Sequence, residues 1–155
     1  MKQKSVTEHL KELTGFWFDE VREDTVPADI VKLVKDAGIF FVKELSIEHD
    51  INIRWFNASP LKERKELEAA GALKDFTDEG IITRNEKNIG GKCVNNETIW
   101  IRKGMTFDDT ICILAHEMVH ATQFCGSTEE QEAEAYPRGK QLALKYKPTL
   151  KSIFI

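Results

Sequence analysis

Cysteine is scarce in this chain: three residues, Cys93, Cys112 and Cys125, among 155. An odd number cannot pair off within one chain, and none sits in a Cys-x-x-Cys spacing, so neither a disulfide framework nor a thiolate zinc knuckle is expected. Cys112 reads as a core filler and Cys125 as at most an accidental or regulatory thiol ligand. Long apolar runs are missing too, since no stretch approaches the roughly 20 residues that cross a bilayer. The opening MKQKSVTEHL has no apolar core behind its basic residues, which argues against a secretory signal. Finally, there is no excess of positive charge. A formal net charge of -4 leaves no electrostatic footprint for nucleic acid or an anionic membrane, and neither is expected as a partner. Reduced thiols without a signal or a span lead to the expectation of a cytoplasmic protein.

What is present is ordinary globular material, with 41% hydrophobic and 31% charged residues. At this length the simplest organisation is one domain, 1–155, able to bury a core without staples. Over 5–24 the apolar positions Leu10, Leu13, Phe16, Trp17 and Val21 suggest a short helix and a loop, interrupted at Gly15. Pro27 opens a stronger helix whose apolar face runs from Ile30 to Phe41. Residues 47–56 alternate like a half-buried strand, with His49 and Asp50 a solvated pair near its start. Ser59-Pro60 begins a charged helix over 61–70, ended by Gly71; the polar stretch 72–91 that follows has the composition of a flap. Residues 92–102 form a hairpin about Asn95-Asn96, because asparagine tolerates the left-handed conformation that such turns need.

The most informative stretch is His116-Glu117-Met118-Val119-His120. Histidines four apart share one face of a helix, about 6 Å apart along its axis, so their imidazoles can converge on one metal. A glutamate beside that metal, without binding it, can take the proton of an attacking water. The flanking residues, from Ile111 to Ala115 and from Ala121, are apolar or small, so the helix is buried on most sides, with Asp108 or Asp109 as its cap. Three adjacent titratable groups on a buried helix need a cause, and zinc supplies one. The competing reading is a core helix whose histidines are satisfied by neighbours.

A catalytic zinc takes three protein ligands and leaves one position open. The metzincin continuation fails, because Gln123 and Gly126 stand where glycine and histidine are required. The helix is expected to stop near Cys125-Gly126, and Ser127-Thr128-Glu129-Glu130 is a capping box that starts another at once. In the resulting antiparallel hairpin Glu132 stands level with His120. Glu132 shares its face with Tyr136, Gly139, Ala143 and Tyr146, a face made to pack. Its rival Glu134 shares one with Arg138, Gln141 and Lys145. Glu132 is therefore the preferred third ligand and Glu134 the alternative, since a kink at Pro137 would be able to turn Glu134 inward.

With these residues in place, the segment 95–146 resembles the compact gluzincin type of zincin, in which His-Glu-x-x-His is followed on the next helix by a glutamate. The resemblance implies His116, His120 and Glu132 as zinc ligands and Glu117 as catalytic base. It departs from the thermolysin-like pattern at Tyr136, where those members carry an aspartate that orients a ligand histidine. Asp108, Asp109 or a backbone oxygen would have to replace it. The fold then expected is α+β, a minimal zincin-like domain with a small, twisted, mostly antiparallel sheet packed on the motif helix, the site-bearing core spanning about 92–147. The function expected is a zinc-dependent metallopeptidase acting on a protein or peptide, with Glu117 assisting attack of a zinc-activated water and Tyr136 or Tyr146 stabilising the oxyanion. The alternatives are a zincin-fold binding or regulatory module that keeps its metal without peptidase activity, and hydrolysis of a non-protein amide.

Overall fold

The computed structural model describes residues 16–60 and 90–154. In chain order these form β1 (Phe16–Val21), a 3-10 turn (Glu23–Thr25), α1 (Ala28–Glu44), β2 (Asn52–Pro60), β3 (Gly91–Val94), β4 (Thr98–Arg102), α2 (Phe107–His120) and α3 (Thr128–Tyr146). The architecture is α+β. Its four-stranded sheet has the order β1-β2-β4-β3, in which β1–β2 and β3–β4 are antiparallel and β2–β4 parallel. Among the described residues β1 and β3 are the sheet's two edges.

One sheet face is apolar because alternate residues share it: Ile53 lies opposite Ile99 and Trp55 opposite Ile101, three of them in the core and the partly buried Ile53 packed against it. The helix α2 lies within this core. Ten of its residues are buried, Asp109 to Ala115 and Glu117 to Val119, so it behaves as a central rod rather than a surface helix. On one side α1 contributes Val34, Ala37 and Phe41, a helical spacing of three and four. On another, α3 contributes Ala135, Gly139, Leu142 and Ala143. These are small residues except for Leu142, and they let the helix backbones approach. Full burial of an aliphatic or aromatic side chain contributes about 1.5–3 kcal/mol, and Phe41, Phe56, Ile99, Ile101, Leu114 and Val119 are all inaccessible to solvent.

The hairpin expected over 92–102 is present, with Asn95 and Asn96 at φ 55° and 62°, as is the Pro27-initiated helix. Three expectations are corrected. Residues 16–21 form a strand rather than part of the helix and loop expected over 5–24, because their backbone pairs with the second half of β2, from Phe16 opposite Pro60 to Val21 opposite Trp55. The second strand begins at Asn52 rather than Ile47 and runs through Ser59 and Pro60. The motif helix is capped by Thr106, whose hydroxyl accepts from the Asp109 N–H at 3.1 Å, and not by either aspartate. Both aspartates hold the carboxyl-terminal segment instead. Asp108 accepts from Lys147 Nζ at 2.6 Å and the Lys151 N–H at 2.9 Å. Asp109 Oδ1 accepts from the Ser152 hydroxyl at 2.6 Å and the Ile153 N–H at 3.1 Å. The helix expected over 61–70 and residues 72–89 of the stretch 72–91 expected as a flap lie outside the described residues, and Gly91 begins β3. Among the described residues no helix is long and apolar enough to cross a membrane.

Candidate metal centre

Helix α2 ends at His120, earlier than the glycine at 126, and the chain reverses through 121–127. Gly126, at φ 99°, takes a conformation that L side chains rarely adopt. Ser127 then caps α3, its Oγ accepting from the Glu130 N–H at 3.2 Å. The two helices are thereby laid side by side. At Gly139 they approach closely, as a Cβ there would lie 2.9 Å from the Cα of His116. Pro137 lies inside α3 without ending it.

That packing brings four of the expected residues together. His116 Nε2 and His120 Nε2 are 3.2 Å apart. Glu132 Oε2 is 3.5 Å from His116 Nε2, and Glu132 Oε1 is 2.5 Å from His120 Nε2. Glu117 joins the histidines, one ligand atom of each lying within 4.8 Å of the others. Glu134 is placed elsewhere, on the wet side, where its Oε1 accepts from Gln123 Nε2 at 3.2 Å and faces Arg138 at 3.6 Å. Tyr136 stacks edge-on against the His116 ring, with centroids 4.7 Å apart. Tyr146 is not brought to this cluster: its ring packs on Phe40 and Phe41, 5.3 and 5.8 Å between centroids. Cys125 is exposed and Cys112 buried.

The electrostatics follow from burial. Desolvation, the largest cause, holds the His116 imidazole below its ordinary range, Glu132 pulling the other way and His120 adding to the depression. Burial pushes the Glu117 carboxyl up to about 7, partly offset by His120, Lys92 and the Cys93 backbone N–H. A carboxylate in that range is matched to proton transfer near neutral pH. Its Oε2 is buried and has no hydrogen-bond partner among the described residues. Beside it the Cys93 thiol is pushed up to about 12, by burial first and then by Glu117, so it remains protonated rather than a thiolate ligand. Burial, then the Glu132 and Glu117 carboxylates, hold the Tyr136 hydroxyl above the ordinary phenol range, and it keeps its proton.

Residues that the sequence did not single out complete the arrangement. Gln123 Oε1 lies 2.6 Å from His120 Nδ1, where Asp108, Asp109 or a carbonyl was expected. Asn96, on the β3–β4 turn, donates from Nδ2 to the carbonyls of His120 at 2.9 Å and Gln123 at 2.6 Å. His49 is no solvated partner of Asp50: its Nε2 lies 2.6 Å from the Asn96 carbonyl, and it must donate there because a carbonyl only accepts. A groove of about 350 Å³ between the starts of α1 and α2, lined by Val26, Ile30, Met105 and Phe107 among others, includes none of the clustered residues.

Two imidazole nitrogens and a carboxylate form a donor set suited to zinc. Ligands about 2.0–2.1 Å from a tetrahedral ion lie about 3.3 Å from one another, and the 3.2 Å between the histidine nitrogens and the 3.5 Å from His116 Nε2 to Glu132 Oε2 agree with that, whereas His120 meets the other oxygen, Oε1. This third spacing, 2.5 Å between His120 and Glu132, is that of a shared proton rather than of two ligands. The four atoms involved, both histidine Nε2 and both Glu132 oxygens, are acceptors unless protonated, so the cluster is able to hold a cation. Comparison with protein-family models, curated proteins and solved structures finds no match to the chain.

Proposed function

We propose that the chain is a zinc-dependent metallopeptidase, with His116, His120 and Glu132 holding the metal and Glu117 acting as base. The observation that carries this reading is the convergence of three acceptor side chains, His116, His120 and Glu132, beside a buried carboxylate oxygen that has no partner among the described residues. A buried carboxylate oxygen without a partner is costly, and an attacking water hydrogen-bonded to Oε2 would offset that cost while presenting its proton to the base. Bound zinc would acidify water and polarise a carbonyl. Glu117 takes the proton of the attacking water and returns it to the departing amine. The protonated Tyr136 hydroxyl beside His116 is a donor for the oxyanion that develops.

Among the described residues β3 is an edge strand, which supports a peptide as the substrate. Its Gly91 and Cys93 lie against α2, as a Cβ at Gly91 would fall 3.4 Å from Glu117 Cγ, and an extended segment added to its outer edge would pass beside the same base. Hydrolysis of a non-protein amide would need no such edge.

The decisive experiment counts zinc per chain in purified protein and compares wild type with Glu117→Gln on a panel of unfolded proteins. Stoichiometric zinc in both, with cleavage only by wild type, is expected. Absence of zinc from the native protein sinks the proposal. Zinc in both without cleavage by either would favour a metal-retaining binding module.

A further inference from the structure

The Gln123 amide has only one orientation that satisfies its surroundings. Its Nε2 faces two acceptors, the Gln131 carbonyl at 2.9 Å and Glu134 Oε1 at 3.2 Å, so the nitrogen must be the atom on that side. The oxygen is thereby turned to His120 Nδ1 at 2.6 Å. Two acceptors cannot share that distance, so Nδ1 carries a proton. The other ring nitrogen, Nε2, is left to face His116 and Glu132.

We infer that Gln123 is the positioning residue for His120, fixing which ring nitrogen reaches the metal centre, and that Glu134 serves by holding the Gln123 amide. This rests on the metal reading given above. A glutamine is needed because this position must accept on one side and donate on the other. A carboxylate at 123 would accept from His120 equally well but would set its second oxygen against the Gln131 carbonyl and the Glu134 carboxylate. The rival ligand is thus tied into the same centre through two hydrogen bonds, without touching the histidines. The loop is held still for the purpose: Asn96 binds the backbone carbonyls of both His120 and Gln123, and the Gln123 N–H donates to the His120 carbonyl at 3.0 Å.

The test is zinc affinity by competition with a chromophoric chelator for wild type, Gln123→Leu, Gln123→Glu and the double variant Gln123→Glu with Glu134→Gln. Gln123→Leu is expected to lose about tenfold to a hundredfold, the usual effect of removing an outer partner of a ligand imidazole. Gln123→Glu is expected to weaken binding as well. The double variant is expected to recover much of the loss, because the amide introduced by Glu134→Gln can donate to the new carboxylate. Such recovery is not expected if residue 123 only fills space. Independently of metal, ring-nitrogen NMR of zinc-free protein is expected to show a His120 Nδ1–H sheltered from exchange in wild type and lost in Gln123→Leu. Unchanged affinity and an unchanged Nδ1–H in Gln123→Leu would overturn the inference. A wild type that binds no zinc but whose Nδ1–H depends on Gln123 would overturn the metal reading and leave the positioning role standing.

Discussion

Gly139 of α3 faces the backbone of His116 so closely that a Cβ there would lie 2.9 Å from the His116 Cα and 3.2 Å from its amide nitrogen. Alanine in an exposed helix is favoured over glycine by about 1 kcal/mol. Here that gain is outweighed, because the obstruction is backbone and cannot swing aside. Gly139→Ala is expected to destabilise the fold by about 1–3 kcal/mol, as overpacking does, and to weaken zinc binding by moving Glu132 away from the histidines. Urea unfolding and chelator competition on the same variant measure both effects.

Glu132 and Glu134 are two residues apart in sequence and face different surroundings. Glu132→Ala is expected to abolish stoichiometric zinc, since it removes the carboxylate that reaches both imidazoles. Glu134→Ala is expected to keep zinc and to lose only the support of Gln123, a change of less than tenfold in affinity on the scale of outer-partner effects. Zinc lost with Glu134→Ala and retained with Glu132→Ala would reverse the ligand assignment.

The Asp108 carboxyl is held below the usual carboxylate range, first by its hydrogen bond from Lys147 and then by the Lys151 N–H. A value lower in the folded than in the unfolded chain adds stability. That contribution is complete above the ordinary aspartate pKa of about 4 and disappears as pH falls through the folded value. Asp108→Asn is therefore expected to be less stable than wild type at neutral pH, with the difference shrinking in acid. Denaturant titrations at pH 7 and at successively lower pH would show a constant difference if the ion pair were not responsible.

Asn96 has two roles that substitutions can separate. Its left-handed backbone closes the hairpin, and its amide caps the end of α2. Asn96→Gly keeps the first and loses the second, whereas Asn96→Ala loses both. In the glycine variant the Gln123 carbonyl loses its Asn96 donor and the His120 carbonyl keeps only the Gln123 N–H, a cost of about 0.5–1.5 kcal/mol per lost hydrogen bond, with a further loss for alanine at positive φ. Equal stability of the two variants in urea would mean that the turn's conformation carries no strain.

The site was legible where its geometry is local. The four-residue spacing of His116 and His120, and the Gly126-Ser127 reversal that sets Glu132 level with them, are properties of helices and their caps. Gln123 was not legible, because its role depends on Glu134 and Gln131 arriving from the next helix. The same holds for Asp108 and Asp109. Either has the chemistry of a cap, but both are engaged by the segment 147–153, far along the chain. His49 looked solvated for the same reason, as nothing near it in sequence foretells the Asn96 carbonyl. Residues 16–21 misled differently: Phe16, Trp17 and Val21 satisfy a helical rhythm, yet aromatic residues suit strands as well, and pairing with β2 decided the outcome. The α+β class survived these errors because strand alternation at 98–102 and the periodicity of the helices were unambiguous.

The short strand β3 is pegged to α2 at both ends. At its start, Gly90 and Gly91 lie so close to Ile113 that a Cβ on either would fall within 2.5 to 2.6 Å of that side chain. Past its end, the Asn96 amide grips the last turn of the same helix. A strand fixed this way cannot slide by a residue against the helix that carries the histidines. It works as a ruler clamped at both ends, holding the backbone of β3 in one register against His116 and His120.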